Sequence, residues 1–390
     1  MPPKSPDAMV KSRQNPFVVM GKIPPELFCD REVESEKLIH SLTNGNHVVL
    51  ISPRRMGKTG LIHHCYEDER IGKEYYTFFV DILHTSNLRE FTYNLGRSVY
   101  KELVPKGKRL AKSFIQALKS LSGTISIDTL NGGPKFGVEL GDIVRPELTL
   151  EEIFDYLEQA NMPCIVAIDE FQQITHYPEK NIEALLRGHI QQMENCNFIF
   201  AGSERSIMQQ MFCSASRPFY QSADILELNE IPFDVYSAFV ERLFNEKRKN
   251  IRVETIQYVY NLFRGHTFYM QKVFNEAFPI TRQTCELAMV GEAIDYILNE
   301  KETTYMEMLS ALSEKQKPLL YAIAAEGVAS RVTSVDFVKR HGLLSASSIQ
   351  SAVKQLLNQN LITEVHKEYS VTDKFFALWI NRIYNETQAP

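Results

Sequence analysis

The chain has 390 residues, 44% of them hydrophobic and 23% charged, which is ordinary globular composition with length enough for two or three cores. A net charge of −5 and a pI near 6.1 exclude a protein that is basic overall, so nucleic acid would have to be held by a local patch. Six cysteines (Cys29, Cys65, Cys164, Cys196, Cys213 and Cys285) form no CxxC pair. They read as small, mostly buried side chains in a reducing compartment, without a disulfide framework or a zinc site. No apolar run approaches the roughly 20 residues that span a bilayer. The polar stretch Met1 to Asn15 has no apolar signal-peptide core, so the expected location is cytoplasmic, away from membrane.

Residues 1–15 read as a disordered tail, followed by a proline-marked approach from Pro16 to Phe28. Asp30-Arg31-Glu32-Val33-Glu34 opens a helix to about Leu42, with carboxylates placed to suit the helix dipole. His47 to Ile51 is a short continuous apolar run, the mark of a parallel strand buried on both faces. Runs of the same kind recur at Tyr75 to Ile82, Cys164 to Ile168, Asn197 to Ala201 and Asp224 to Leu228. Helical patterns lie between them, which implies a parallel sheet with right-handed crossovers. Gly123 to Leu140 breaks the alternation and reads as two strands joined at Asn131-Gly132-Gly133, a hairpin inserted between the second and third core strands. From Pro232 to about Met308 the text is helical, punctuated at Gly265. Three further helices (about 314–326, 333–341 and 347–359) precede the strands Leu361 to Val365 and Glu368 to Val371, the pattern of a winged helix. The expected organisation is therefore a tail (1–15), a three-layer α/β/α domain (16–231), a helical lid (232–308) and a winged helix (309–390).

The strand His47 to Ile51 runs into Ser52-Pro53-Arg54-Arg55-Met56-Gly57-Lys58-Thr59-Gly60, and a helix follows. Apart from Ser52 in place of the first glycine, this is the P-loop pattern. Gly57 gives the backbone room to wrap a phosphate, and the amides of the loop converge at a helix N-terminus. Lys58 is placed to reach the β- and γ-phosphates, and Thr59 to offer its hydroxyl to Mg²⁺. Ser52 suits its turn if its φ stays negative. A second buried strand ends in Asp169-Glu170. In a P-loop protein Asp169 would serve the metal and Glu170 would orient and polarise the attacking water. Ser203, at the end of the strand Asn197 to Ala201, is a candidate γ-phosphate sensor, with Arg205 beside it. The alternative is an ordinary strand–helix turn. Arg264-Gly265-His266-Thr267 reads either as a lid turn that approaches the nucleotide or as a helix junction capped at Gly265.

Together with Phe28, Asp30-Arg31-Glu32, Arg217-Pro218-Phe219-Tyr220, Gly265 to Tyr269 and Thr372 to Trp379, these motifs resemble the archaeal-type ATPases of the STAND group, within the AAA+-like P-loop ATPases. The similarity runs from about Asn15 to Tyr384. It implies a sheet in the order 5-1-4-3-2, a helical lid and a winged helix. It also implies ATP and Mg²⁺ as ligands, Phe28 and Arg31 near the adenine, and a switch in which the nucleotide changes lid and winged-helix packing. Three departures stand out: Ser52; Thr267, where the family carries proline; and Gln221-Ser222-Ala223, where relatives carry Gly-Arg-Ala. The last points to slow hydrolysis, with Arg217 as a substitute arginine.

The would-be recognition helix, Ser347 to Asn358, is nearly neutral, and only Lys339, Arg340, His341 and Lys367 frame a weak basic patch. Phosphate neutralisation dominates DNA affinity, so a protein partner or self-association is favoured over DNA. Three readings compete: an ATP-hydrolysing regulatory switch, a nucleotide-controlled DNA-binding protein, and a scaffold that holds ATP without cleaving it.

Overall fold

A computed structural model of the chain describes residues 15–21, 23–121 and 138–388. The chain divides into two compact units. One is Lys22–Asn229; the other joins Met1–Gly21 to Glu230–Pro390.

The first unit holds a five-stranded parallel sheet: β1 (Val48–Ile51), β2 (Tyr76–Asp81), β3 (Cys164–Asp169), β4 (Cys196–Gly202) and β5 (Asp224–Glu227). The spatial order is β2-β3-β4-β1-β5, the order implied by the resemblance, with pairs such as Val48↔Ile199 and Val48↔Asp224 on either side of β1. Every residue of β1 and β3 is buried, because helices cover both faces. Alternate side chains therefore feed two cores. Val49, Ile51, Val166, Ile168, Phe198 and Phe200 enter one, while Val48, Leu50, Ile165, Ala167, Ile199 and Ala201 enter the other. The helices are α1 (Glu32–Thr43), α2 (Lys58–Glu67), α3 (Glu69–Gly72), α4 (Leu88–Leu103), α5 (Lys108–Ala117), α6 (Pro146–Glu158), α7 (Ile182–Ile190) and α8 (Arg205–Cys213). From β1 the chain crosses to β2 at the far edge and then returns inward. The carboxyl ends of β1, β3 and β4 thus meet beside a reversal of strand order, where open α/β sheets bind ligands. The hairpin expected at Gly123 to Leu140 falls mostly on residues 122–137, outside the described residues, and Leu140–Asp142 forms a short 3₁₀ turn.

The second unit contains α9 (Phe233–Glu246), β6 (Asn250–Ile251), α10 (Val253–Phe263), α11 (Thr267–Ile280), β7 (Thr284–Cys285) and α12 (Leu287–Ser310). It continues with α13 (Gln316–Glu326), β8 (Ala329–Ser330), α14 (Val335–Arg340), α15 (Ala346–Asn358), β9 (Ile362–Val365), β10 (Glu368–Val371) and α16 (Lys374–Gln388). The sequence pattern shows the β9–β10 hairpin but not the third strand. β8 has only two residues, too few for periodicity, yet it completes an antiparallel sheet in the order β8-β10-β9. α16 buries Phe375, Phe376, Trp379 and Ile380 against the rest of the unit.

Residues 16–21, grouped by sequence with the α/β domain, belong instead to this second unit. The cause is Phe17, which is 1% exposed and lies 5.4–5.9 Å from the rings of Phe244, Phe274 and Phe278. Asn15 Nδ2 donates to the carbonyl of Asn275, and Asn275 Nδ2 donates to that of Phe17, fixing the segment from both sides. Among the described residues no helix is long and apolar enough to cross a membrane.

Candidate functional site

The loop after β1 has the backbone its sequence demands. Gly57 takes φ 98 with open space where a Cβ would stand, and Arg55 takes φ 68. Two left-handed residues within three positions curl the loop so that α2 begins at Lys58 with its amides unspent. Ser52 has no positive φ, so a side chain is tolerated where the usual pattern has glycine. It is buried, its amide donates to the carbonyl of Gly202 (3.2 Å), and its hydroxyl donates to that of Pro53 (2.9 Å). The serine therefore ties the start of the loop to the end of β4. Met56 packs inward, while Arg54 Nε lies 3.4 Å from Ser203 Oγ.

Opposite the loop, β3 ends on Asp169, and Glu170 turns sharply with φ 58 and ψ 40, a left-handed conformation ahead of the 3₁₀ turn Phe171–His176. Strict strand alternation would send the two carboxylates to opposite faces; the turn at Glu170 brings both to one site. Thr59 Oγ1 donates to Asp169 Oδ2 at 2.8 Å. Lys58 Nζ lies 3.7 Å from Glu170 Oε1. Ser203 Oγ donates to Glu170 Oε2 at 2.5 Å. The titration directions of the two acids diverge. Burial pushes the Asp169 carboxyl above its usual range despite Lys58 and Thr59. Burial also acts upward on Glu170, but the Lys58 charge and the bonds from Ser203 and Gln172 outweigh it and hold that carboxyl below its usual range.

Gln172 is the residue that sequence reasoning misses. It is fully buried, and its Nε2 donates to Glu170 Oε2 at 2.6 Å and approaches Ser203 Oγ at 3.4 Å. Two donors thus grip one oxygen of Glu170 and leave the other facing Lys58. A Cβ on Gly202 would stand 2.8 Å from Gln172 Oε1 and 2.5 Å from Met208, so glycine there makes room for the glutamine. The available signal was a polar side chain two residues beyond the acidic pair, in a turn that otherwise packs Phe171 and Ile174 inward.

Arg205 is not part of this cluster. Its Nη2 donates to Glu227 Oε2 at 2.6 Å, at the end of β5. Arg217 is likewise engaged, forked onto Glu183. Phe28 stacks on His64 at 4.2 Å and would touch a Cβ added to Gly60, so it lies along α2 beyond the loop. Arg31, buried with φ 80, donates to Glu34 (2.7 Å) and to the carbonyl of Asn229 (2.6 Å). Gly265 and His266 belong to the second unit, at the turn from α10 to α11. Gly265 takes φ 71 where a Cβ would meet Glu230 at 2.8 Å, which is the geometry of a helix-ending glycine. Burial, reinforced by Lys374 and Arg264, lowers the His266 pKa to about 4, and its Nδ1 has no hydrogen-bond partner among the described residues.

The family model for the ATPase domain predominantly from Archaea matches residues 28–273, well over half the chain. The chain belongs to this family of archaeal-type P-loop ATPases. A probable winged helix domain matches residues 303–382. Among solved structures, a Walker-type ATPase of Pyrococcus abyssi is similar at TM-score 0.64 and 19% identity, covering 94% of this chain and 99% of that one. The ORC2 protein of Aeropyrum pernix, solved with ADPNP and ADP, is similar at 0.57 and 16% identity (97% and 99% covered). The ORC1 protein of the same organism, solved with DNA, is similar at 0.53 and 12% (95% and 96% covered). At these identities the likeness is one of fold. Curated proteins offer no match. The loop around Gly57 with Lys58, and the facing acids Asp169 and Glu170, meet at the carboxyl end of this domain's sheet.

Proposed function

We propose that the chain is a Mg²⁺-dependent ATP hydrolase of slow turnover that acts as a nucleotide-controlled switch, with its output carried by the lid helices and the winged helix to a protein partner or a second copy. The observation that carries the reading is the convergence of Lys58, the Thr59–Asp169 pair and Glu170 at the ends of β1 and β3. The donor set fits a hard cation: one hydroxyl beside one buried carboxylate. No group of three or more His, Cys, Asp or Glu side chains placed to hold a metal ion occurs among the described residues. Such a site suits an ion that keeps waters and takes its remaining ligands from phosphate. When bound, Mg²⁺ would neutralise charge building on the β- and γ-phosphates.

The chain's own residues would do the rest. The loop amides and Lys58 would hold the β- and γ-phosphates, the ammonium leaving Glu170 to do so. Glu170, then free at Oε1 and anchored at Oε2, would orient the attacking water and take its proton. Ser203, joined to both Arg54 and Glu170, would report the γ-phosphate to both. We assign Phe28, Arg31 and Gly60 to the adenine side. Arg205, paired with Glu227, is assigned no catalytic step.

Calorimetry and a radiolabelled turnover assay test the reading. Lys58→Ala should abolish ATP binding, whereas Glu170→Gln should bind ATP and release no phosphate. Turnover by Glu170→Gln at the unaltered rate would remove the glutamate from its role. Tight binding without turnover in the unaltered protein would establish the scaffold reading instead. A DNA output through the winged helix draws little support, since Arg340 and His341 are both paired with Glu326.

A further inference from the structure

The chain carries a net charge of −5, yet between Arg97 and Lys112 it places six cations against one carboxylate, the half-buried Glu102. Arg97 and Lys101 stand one turn apart on the solvent face of α4, whose other side buries Leu95, Val99 and Leu103. Lys108, Arg109 and Lys112 line the exposed side of α5, whose apolar side is Ala111, Phe114 and Ile115. Lys106, in the turn between these two packed helices, lies 4.9 Å over the Tyr76 ring. All six are exposed, and none forms an ion pair among the described residues. A surface helix ordinarily intersperses the two signs. α6, which packs against both helices, carries an exposed row of acids, Glu147, Glu151 and Asp155, and among the described residues none of them pairs with the six cations.

The surroundings select the partner. No large apolar side chain is exposed anywhere on α4 or α5. A protein interface needs apolar or aromatic anchors at its centre, and a membrane-bound helix needs an apolar face to insert. Single-stranded nucleic acid needs exposed rings for base stacking, whereas Tyr93 is half-buried and Tyr100 buried. Phosphate neutralisation needs none of these. We infer that the exposed faces of α4 and α5 bind the phosphate backbone of duplex DNA without reading its sequence. The surface belongs to the ATPase unit, not to the winged helix, whose recognition helix exposes only Lys354 as a cation.

Fluorescence anisotropy on the full chain with a labelled duplex of mixed sequence, without nucleotide, tests this at salt concentrations from about 50 to 200 mM. The unaltered protein should bind with a log–log salt slope of several, since each neutralised phosphate contributes about −0.9. The variant R97E/K101E/K108E/K112E should bind at least tenfold more weakly and lose about one from the slope per altered residue. The neutral set R97Q/K101Q/K108Q/K112Q should do the same in smaller measure and guards against a fold disturbed by charge reversal. K339E/K354E/K367E on the winged helix should leave binding unchanged. Equal binding of duplex RNA upholds the surface, because the backbone chemistry is shared. Three results would overturn it: no salt-sensitive duplex binding by the unaltered protein; equal binding by the reversed and unaltered chains; or binding confined to anionic vesicles or single strands. Lys58→Ala, in the same assay, should bind duplex normally, so failure here and failure of the ATPase reading are told apart.

Discussion

Glu170 is held on one oxygen by two donors, Ser203 and Gln172, while its other oxygen faces Lys58. A carboxylate so clamped presents a fixed oxygen to water, which is what a general base needs. Gln172→Met keeps the length of the side chain and removes the donor. A hydrogen bond to a charged group contributes about 1.5–3 kcal/mol, so kcat should fall by roughly tenfold or more while ATP affinity stays the same. An unchanged kcat would show that Ser203 alone sets the carboxylate. Gly202→Ala should act on the same clamp from behind, since its new Cβ meets Met208 and Gln172. The expected cost is about 1–3 kcal/mol of overpacking, read as a lowered urea midpoint. The acids themselves are legible from sequence, because a buried strand ending in two carboxylates follows a P-loop on an earlier strand of the same sheet. Gln172 is not legible, because its partner Ser203 is 31 residues away and only the packing of β3 beside β4 joins them. Arg205 misleads for the opposite reason: proximity in sequence to Ser203 does not say which way the side chain leaves the turn, and Glu227 on β5 claims it.

His47 enters β1 and couples two elements, since its Nδ1 accepts a hydrogen bond from the backbone amide of Phe198 on β4. Burial, with Arg187 nearby, lowers its pKa to about 4. In the unfolded chain the ordinary value is about 6.5, so between these limits the unfolded state binds the extra proton. Stability should therefore fall as pH drops from about 6.5 to about 4, with a slope approaching about 1.4 kcal/mol per pH unit, and this contribution flattens below pH 4. Far-UV dichroism in urea across that range should show the slope reduced in His47→Asn, which keeps an acceptor but takes up no proton. A slope unaltered by the substitution would mean that the imidazole titrates alike in both states. At this scale the strands of the sheet are legible, because parallel strands covered on both faces are written as unbroken apolar runs. The two-residue β8 is hidden by its length. The basic face of α4 and α5 passes unnoticed because charge on an exposed helix matches no motif; it becomes visible only when no counter-charge meets it.

The chain begins in one unit, passes through the whole ATPase unit and returns to the first, so Lys22–Asn229 is an insertion in the path of the other unit. Arg31, near the entry, donates to the carbonyl of Asn229 at the exit, which closes the ATPase unit on itself. The return is sealed by Phe17. Its ring is enclosed by Phe244 of α9 and by Phe274 and Phe278 of α11, side chains more than 200 positions later in the sequence. Such a contact costs loop-closure entropy that grows only slowly with the length of the intervening chain, so one fully buried ring with two flanking amide bonds can hold it. Phe17→Ala removes that ring from a site 1% exposed, and the expected loss is about 3–5 kcal/mol. The chain's single tryptophan, Trp379, is buried in α16 of the same unit, within 5.7 Å of Tyr305, and reports the unfolding of that unit directly. Its emission in urea should show a midpoint well below that of the unaltered protein, and Phe17→Leu should recover part of the difference by refilling the space. A Trp379 midpoint that does not move in Phe17→Ala would mean that the Phe17 ring contributes nothing to the stability of the unit.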